Sequence, residues 1–225
     1  AYNVRLTGTS NTIAGATTFN STGTTTIGDA LGDTTNFTGG VVATAGPKNI
    51  AGAINTTDTA MNLGTTAVAV TDNATLNAGS NTITLGAATI ADGKSLTLGT
   101  GAGTTISTGS ITGTAGGGAE NLTINTTGVA TVGGAVGAVP LGTITITQSG
   151  GTSFNSTVDA ATIAITDTAD AATVAFTQNT NATTGMTVAG TANAYNVSLT
   201  GTSNTIAGAT TFNNGGQLTL GDGTA

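Results

Sequence analysis

Residues 1–20 read AYNVRLTGTSNTIAGATTFN, and residues 194–213 read AYNVSLTGTSNTIAGATTFN. We call these segments the N-terminal copy and the C-terminal copy. They differ at one position, where Arg5 stands opposite Ser198, and Tyr2 and Tyr195 set the period at 193 residues. Such long-range repetition is typical of an array. The sequence therefore predicts one complete repeat unit, 1–193, and the start of the next unit, 194–225, continuous with the first.

The composition predicts a folded chain with a thin core. Hydrophobic residues make up 37% of the 225 residues, and charged residues only 6%. Disorder normally combines low hydrophobicity with high charge, which is not the pattern here. Five Phe, two Tyr and no Trp are too few to fill a wide interior. We expect Ile, Val, Leu and Ala to line a narrow one, with the 36 glycines at its corners.

The charge pattern excludes two classes of partner. Ten acidic residues stand against Arg5, Lys48 and Lys94, for a net charge of −7. Nucleic-acid binding needs a basic stripe, which the sequence lacks. Membrane insertion through a helix needs an apolar run of about 20 residues, and none is present. The absence of Cys fits a chain that crosses a secretion pore unfolded and reduced, and it predicts an extracellular, cell-surface location.

A recurring local pattern predicts β-strands. Short alternating runs closed by Gly, Asn or Asp include Asn81–Gly86, Ser95–Gly99 and Thr143–Thr147. This alternation, rich in β-branched residues, is the signature of half-buried strands. No stretch has the apolar spacing of an amphipathic helix, so we expect negligible helix.

Two architectures accommodate such strands. One is a parallel β-helix of about eleven coils, each of about 20 residues. The alternative is an array of β-sandwich domains, which have richer aromatic cores and about 100 residues each. The low aromatic content and the 193-residue period favour the parallel β-helix. We expect Phe19, Phe154, Phe176 and Phe212 to be buried, with Phe19 and Phe212 in equivalent places.

The Thr-, Asn-, Gly- and Ala-rich strings, such as Ser95–Gly99, and the absence of Cys resemble the repetitive passenger regions of large bacterial surface proteins. Autotransporter passengers and filamentous-haemagglutinin-like adhesins are of this kind. The resemblance spans the whole chain. It implies a secreted β-helix that serves as a stalk, adhesin or coat. This family has no shared catalytic residues, so the resemblance implies none here.

The chain lacks several residue types on which enzymes commonly depend for catalysis. The chain has no His and no Cys, which removes the commonest general base, zinc ligands and thiol nucleophiles. Two carboxylate pairs, Asp29 with Asp33 and Asp167 with Asp170, are candidates for glycan cleavage. Asp is also a common turn residue that bonds the nearby backbone. Because aromatic platforms are lacking, we favour the turn role and predict no catalytic residue.

Two further motifs concern ions and phosphate. Asp58, Asp72 and Asp222 are candidates for calcium in turns, but they are too dispersed to form a cage unaided, so we predict no metal and no cofactor. Gly93-Lys94-Ser95 resembles the end of a phosphate-binding loop. That loop requires Gly where Ala88 stands, and a following helix. We therefore predict a tight turn between two strands.

Threonine runs raise one binding hypothesis. The segments 24–26, 82–84 and 143–147 carry alternating or consecutive Thr, and a regular row of Thr pairs could order water or match ice. Such a face needs one pair per coil at constant spacing. Since the runs are scattered along the sequence, we attribute them to the preference of Thr for sheet surfaces.

These patterns favour a non-enzymatic structural repeat of an extracellular bacterial fibre, stalk or surface layer, which associates head to tail with further copies. The alternative is an adhesin that binds a host surface or a glycan ligand through an exposed β-helix face. An adhesin should carry a longer irregular segment that breaks the coil. Gly113–Gly118 and Ala135–Leu141 are the candidates for such a segment.

Overall fold

The computed structural model describes residues 1–114 and 119–222. In these ranges the chain is all-β, and every paired strand runs parallel to its neighbours. The strands wind into a β-solenoid, which confirms the predicted parallel β-helix. The same ranges contain no helix that is long and apolar enough to cross a membrane.

The described residues form 24 strands, most of them two to five residues long. In chain order they are β1 (Val4–Leu6), β2 (Ser10–Ile13), β3 (Thr17–Thr18), β4 (Thr25–Ile27), β5 (Thr34–Phe37), β6 (Val41–Val42), β7 (Lys48–Thr56), β8 (Met61–Asn62), β9 (Val68–Asn77), β10 (Thr82–Leu85), β11 (Ala88–Ile90), β12 (Ser95–Leu98), β13 (Thr105–Thr108), β14 (Ile111–Thr112), β15 (Asn121–Asn125), β16 (Ala130–Val132), β17 (Val136–Gln148), β18 (Thr152–Phe154), β19 (Val158–Ile165), β20 (Thr173–Phe176), β21 (Thr180–Val188), β22 (Asn196–Leu199), β23 (Thr205–Ile206) and β24 (Leu218–Leu220).

The solenoid has three faces, and each turn of the chain visits them in the same order. Face 1 contains β1, β4, β11, β14 and β23, and face 2 contains β2, β5, β12 and β15. The longer strands β7, β9, β17, β19 and β21 bend from face 1 into face 2 and join the two faces into one sheet. Face 3 is a separate sheet with the order β24-β22-β20-β18-β16-β13-β10-β8-β6-β3.

Each turn of the solenoid contains slightly more residues than the sequence analysis predicts. On face 1 the strand pairing leads from Val4 to Thr180 in eight successive steps. A turn therefore takes about 22 residues on average, which is within the usual length of a solenoid repeat. The described residues accordingly make about ten turns rather than about eleven. The extra residues lie at the corners, because the strand segments are short on every face.

The core is a stack of inward side chains. Within most strands the residues alternate between buried and outward positions, as a pleated strand requires, and the long strands lose this alternation where they bend between faces. One column on face 2 passes through six successive partners, all at most 1% exposed: Leu76, Leu98, Ile124, Ile146, Ile165 and Val188. The interior is lined mainly by Ile, Val, Leu and Ala, as expected, because a narrow three-sided core favours small and branched side chains.

The phenylalanines follow the prediction only in the middle of the stack. Phe154 and Phe176 are fully buried, and their rings stack with centroids 4.9 Å apart and planes inclined by 7°. Phe37, which the sequence pattern did not single out, is also fully buried. Phe19 and Phe212 are only half-buried. The prediction was wrong for these two because each lies in a terminal turn, where one side of the core is open.

The two candidate irregular segments have different outcomes. Ala135–Leu141 does not leave the coil, since Val136–Leu141 belongs to β17 and the pairing register with β19 shifts there. A bulge, with Pro140 in it, thus absorbs the extra residues at the corner. In Gly113–Gly118, residues 115–118 lie outside the described ranges.

One corner glycine should be essential to the stack. Gly137 has φ of 77°, and a Cβ there would overlap the carbonyl oxygen of Asp159 in the next turn. Gly93 has a similar φ of 68° but open space around it. Gly93→Ala should cost about 1 kcal/mol, from backbone strain alone. Gly137→Ala should cost about 3 kcal/mol or more, because the turns must also move apart.

Urea unfolding of the two variants measures the difference. Equal losses of unfolding free energy would contradict close turn-on-turn contact at Gly137.

Candidate functional site

The first candidate acidic pair, Asp29 and Asp33, lies at the corner of the solenoid between β4 and β5. The carboxylate of Asp33 accepts the N–H groups of Asp29 at 2.8 Å and of Ala30 at 3.2 Å, and Asp33 is only 4% exposed. The Asp29 N–H bond is the main cause that holds the pKa of Asp33 below its usual value. Asp29 itself lies on the surface, with its carboxylate 3.8 Å from the guanidinium of Arg5. Asp33 thereby fixes the turn between β4 and β5.

The second acidic pair lies in one cleft. Asp167 and Asp170 both line a cavity of about 250 Å³ between successive turns. Asp167 accepts the Thr191 hydroxyl at 2.9 Å and the Asn193 amide at 3.2 Å, and Asp170 accepts the Ala194 N–H at 2.9 Å. The structure thus brings the pair together, and both carboxylates hold the segment that leads into the C-terminal copy.

The three calcium candidates are far apart in the fold. Asp58 accepts the N–H and the hydroxyl of Ser80 at 2.8 and 2.9 Å, which lowers its pKa. Asp72 pairs with the Lys94 ammonium at 2.8 Å, the main cause of its lowered pKa. Asp222 follows β24 at the C-terminal end. In residues 1–114 and 119–222, no three acidic side chains come together where they could hold a metal ion.

The segment Gly93-Lys94-Ser95 forms the predicted tight turn. The Lys94 N–H donates to the carbonyl of Ala91 at 3.0 Å, Gly93 has positive φ, and Ser95 begins β12. The Lys94 ammonium points to Asp72 in the preceding turn. This geometry explains the motif as a turn that is tied to its neighbour.

The threonines are more regular than the sequence suggested. Thr75, Thr97, Thr123 and Thr145 are successive outward partners on face 2. A second row on face 3 is formed by Thr84, Ser107, Thr131 and Ser153. The three runs named from the sequence are nevertheless scattered, because they lie on three different faces, at β4, β10 and β17. The rows were hidden because turn length varies, so equivalent hydroxyls are not evenly spaced in the sequence.

The duplicated segment occupies different faces in its two copies. In the N-terminal copy β1, β2 and β3 lie on faces 1, 2 and 3. In the C-terminal copy β22 lies on face 3 and β23 on face 1, and Phe212 bridges to Val188 on face 2. The separation is thus eight turns and two faces. Phe19 and Phe212 are therefore not in equivalent places, because the repeat period is not a whole number of turns.

The local contacts are nevertheless the same in both copies. Val4 and Leu6 pair with Thr25 and Ile27, and Val197 and Leu199 pair with Leu218 and Leu220, in the same register. The side-chain oxygen of Asn3 accepts the Thr24 N–H at 2.9 Å, and that of Asn196 accepts the Gln217 N–H at 2.7 Å. One sequence therefore makes one kind of stacking on two different faces.

The surroundings of the copies differ because each lies near one end of the stack. Tyr195 is fully buried beneath the preceding turn, and its hydroxyl donates to the Ala189 carbonyl at 2.5 Å, whereas Tyr2 is 68% exposed. At the C-terminal end, a cleft of about 350 Å³ is lined by the apolar side chains of Leu199, Ile206, Phe212 and Leu220.

Models of protein families, curated proteins and solved structures were compared with this chain, and none of them matches it.

Two buried ionisable side chains were missed by the sequence analysis. Glu120 is fully buried, and its carboxylate accepts the N–H and hydroxyl of Thr114 at 2.9 and 3.1 Å. Burial acts to raise the pKa of Glu120, but the bound N–H groups outweigh it and hold the pKa below its usual value. The signal that could have revealed them is the inward phase: Lys48 begins β7 at an inward position, and Glu120 directly precedes β15 in phase with its inward residues.

Lys48 is the other such residue. It takes an inward position in β7, is 1% exposed, and donates its ammonium to the Thr66 hydroxyl. That hydroxyl in turn donates to the Gly46 carbonyl at 2.5 Å. Burial lowers the pKa of Lys48, since the charged form loses solvation.

Replacing Lys48 with Met should stabilise the protein at neutral pH by about 1–3 kcal/mol, because a desolvated charge is removed while the volume is kept. The effect should depend on pH. Between its lowered native pKa and about 10.4, Lys48 binds more protons in the unfolded state than in the native state. Wild-type stability should therefore rise with pH in this window relative to Lys48→Met.

Urea unfolding of both proteins from pH 6 to 10 tests this. A constant difference over that range, or a less stable Lys48→Met at pH 7, would contradict the burial of a charged lysine.

Proposed function

We propose that this chain is a non-enzymatic structural repeat of an extracellular bacterial fibre, stalk or surface layer, and that its solenoids stack end to end. The observation that carries the proposal is an unbroken ladder of parallel strands in which both copies of the duplicated segment pair with the following turn in the same register. A solenoid turn pairs its backbone groups with the turns before and after it, so a further turn of the same kind extends the ladder. A continuous ladder would also carry load along the axis of the fibre.

The side chains support a structural role. Three of the four candidate carboxylates accept bonds from the backbone or from the next turn, as Asp33 does from the Asp29 N–H and Asp170 from the Ala194 N–H. The fourth, Asp29, lies beside Arg5 on the surface. The chain supplies neither His nor Cys for chemistry. The outer surface is covered instead by Thr, Ser and Asn, which suit exposed sheet faces. Extracellular location is proposed from the absence of Cys and from the resemblance to bacterial surface proteins.

The energetics of end-to-end contact are favourable. Each new backbone hydrogen bond at a junction contributes about 1 kcal/mol net, and apolar burial adds about 25 cal/mol per Å². The net charge of −7 is spread over a long body, and salt screens its repulsion beyond about 8 Å under physiological conditions. Head-to-tail contacts of this kind do not close, so they generate filaments.

The chain offers a matched pair of leucines to test stacking. Leu220 at the C-terminal end is 63% exposed, and Leu31 at a lateral corner is 62% exposed. Leu220→Asp should prevent filament growth because it places a charge in the junction. Leu31→Asp adds the same charge to the side of the solenoid and should leave growth intact.

Electron microscopy and light scattering of the 225-residue chain and both variants measure this. Wild-type protein that stays monomeric at high concentration, or equal inhibition by both substitutions, would refute end-to-end stacking.

A further inference from the structure

Face 3 differs from the other two faces in charge and in regularity. Its ten strands contain no charged residue in the part of the chain that the structure describes. The sheet of faces 1 and 2 includes Arg5, Asp72 and Asp159 in its strands. Four strand pairs of that sheet contain a register shift, whereas the described pairs of face 3 contain none. Face 3 can therefore be buried without removing an ionised group from water.

The outward side chains of face 3 are short, and several carry a hydroxyl. Thr84, Ser107, Thr131 and Ser153 follow one another along the solenoid axis. Within the described residues, none of these four hydroxyls makes a hydrogen bond. Because a hydroxyl is both a donor and an acceptor, each of them can bond to a like hydroxyl across an interface.

One edge of face 3 is raised. Side chains alternate along a strand, so positions 129, 131 and 133 all point outward from the same turn. Val129 begins this series and is 51% exposed although it is apolar. Because Ala130 pairs with Ile106, Val129 lies next to Thr105, which in turn pairs with Thr82. We call the edge formed by these three outward residues the ridge: Thr82, Thr105 and Val129.

The opposite edge of face 3 is recessed. In each of the three turns a glycine stands four residues after the ridge residue, at Gly86, Gly109 and Gly133. Gly86 and Gly109 line a groove of about 420 Å³ along this edge. A Cβ at Gly86 or at Gly109 would come within 2.7 or 3.0 Å of the backbone of the preceding turn. The stacking of turns thus requires these glycines, and their lack of side chains keeps the groove open.

We propose that face 3 packs against face 3 of a second copy of this chain, with the ridge of each molecule in the groove of the other. The two-fold axis lies in the interface and runs parallel to the solenoid axis. Such an axis exchanges the two edges but keeps each turn at its own level. Val129 therefore meets Gly133 of the copy, and Thr131, midway between them, meets its own equivalent. The contact is isologous, since each molecule uses the same patch.

The size of the face is sufficient for a stable pair. Ten strands about 4.8 Å apart, each about four residues wide, form a surface of roughly 43 by 13 Å. A pair would bury about 1,100 Å² in total, which exceeds the roughly 1,000 Å² expected of a specific interface. A second copy fits this surface because ridge and groove lie at matching levels in three successive turns.

This pairing goes beyond the proposed end-to-end stacking. It uses the side of the solenoid, so it needs no contact between ends, and it would join two fibres side by side. The two kinds of contact can therefore be tested separately.

A charge on the ridge should prevent pairing. Val129→Asp places a carboxylate in the groove of the copy, where it loses solvation without gaining a partner, and should weaken pairing by about tenfold or more. Leu31→Asp is the matched control, because Leu31 is 62% exposed at the corner between faces 1 and 2. Both substitutions are made in the Leu220→Asp background, which removes the proposed end-to-end contact.

Sedimentation velocity of these chains measures the mass of the particle. The Leu220→Asp chain and the Leu31→Asp/Leu220→Asp chain should be dimeric, and the Val129→Asp/Leu220→Asp chain should be monomeric. Equal dissociation of both double variants, or a Leu220→Asp chain that stays monomeric at high concentration, would overturn the pairing.

Chemical cross-linking in the same background tests the direction of the pair. Ser107→Cys and Ser153→Cys are nearly isosteric changes on face 3, one turn to either side of Thr131, and Ser95→Cys makes the same change on face 2. The chain has no native Cys. A bifunctional maleimide that spans the roughly 10 Å between packed sheets should link Ser107→Cys chains to each other, and Ser153→Cys chains to each other. Ser95→Cys chains should stay unlinked.

Two cross-linking results would overturn the inference. Linking that occurs only in a mixture of Ser107→Cys and Ser153→Cys chains would mean an antiparallel pair, in which the ridge cannot enter the groove. Equal linking of Ser95→Cys chains would mean contact without preference for face 3. By contrast, a wild-type chain that pairs through face 3 but never forms filaments would support this inference and refute end-to-end stacking.

Discussion

Every level of this structure depends on the pairing of each strand with residues one turn later in the chain. This pairing stacks equivalent positions, so an inward position remains inward in the next turn, and most inward side chains are apolar. The column from Leu76 to Val188 shows the result, with six aliphatic side chains in contact along the axis. Close spacing of turns then demands glycine wherever a corner approaches a carbonyl, as Gly137 does at Asp159. The polar groups at the corners, such as Asp33, hold the chain in the geometry that keeps this spacing.

The same constraint explains what the sequence could predict. Alternation and turn residues indicated short strands, and scarce aromatics indicated a thin core, because both features follow from stacking itself. The face on which a given strand lies could not be predicted. The alternation of buried and outward residues has a period of two on every face. It therefore does not indicate which of the three faces a strand occupies. This is why Phe19 and Phe212 were wrongly placed together.

The site-level predictions failed where turn length mattered. The hydroxyl row through Thr75, Thr97, Thr123 and Thr145 became visible only when the pairing register was known. Lys48 was also missed, since a lysine in an alternating strand is normally assigned to the outward positions. The convergence of Asp167 and Asp170 was anticipated from their sequence proximity. Their engagement with residues 191–194 of the next turn was not, because a contact across one turn has no local sequence signal.

The two copies argue that the three faces are interchangeable for this sequence. The N-terminal and C-terminal copies make the same register and the same asparagine bonds on different faces. A segment that keeps its register on two different faces depends on the turn that it pairs with rather than on the face that it occupies. The two copies therefore present their outward side chains in directions that differ by one third of a turn about the solenoid axis.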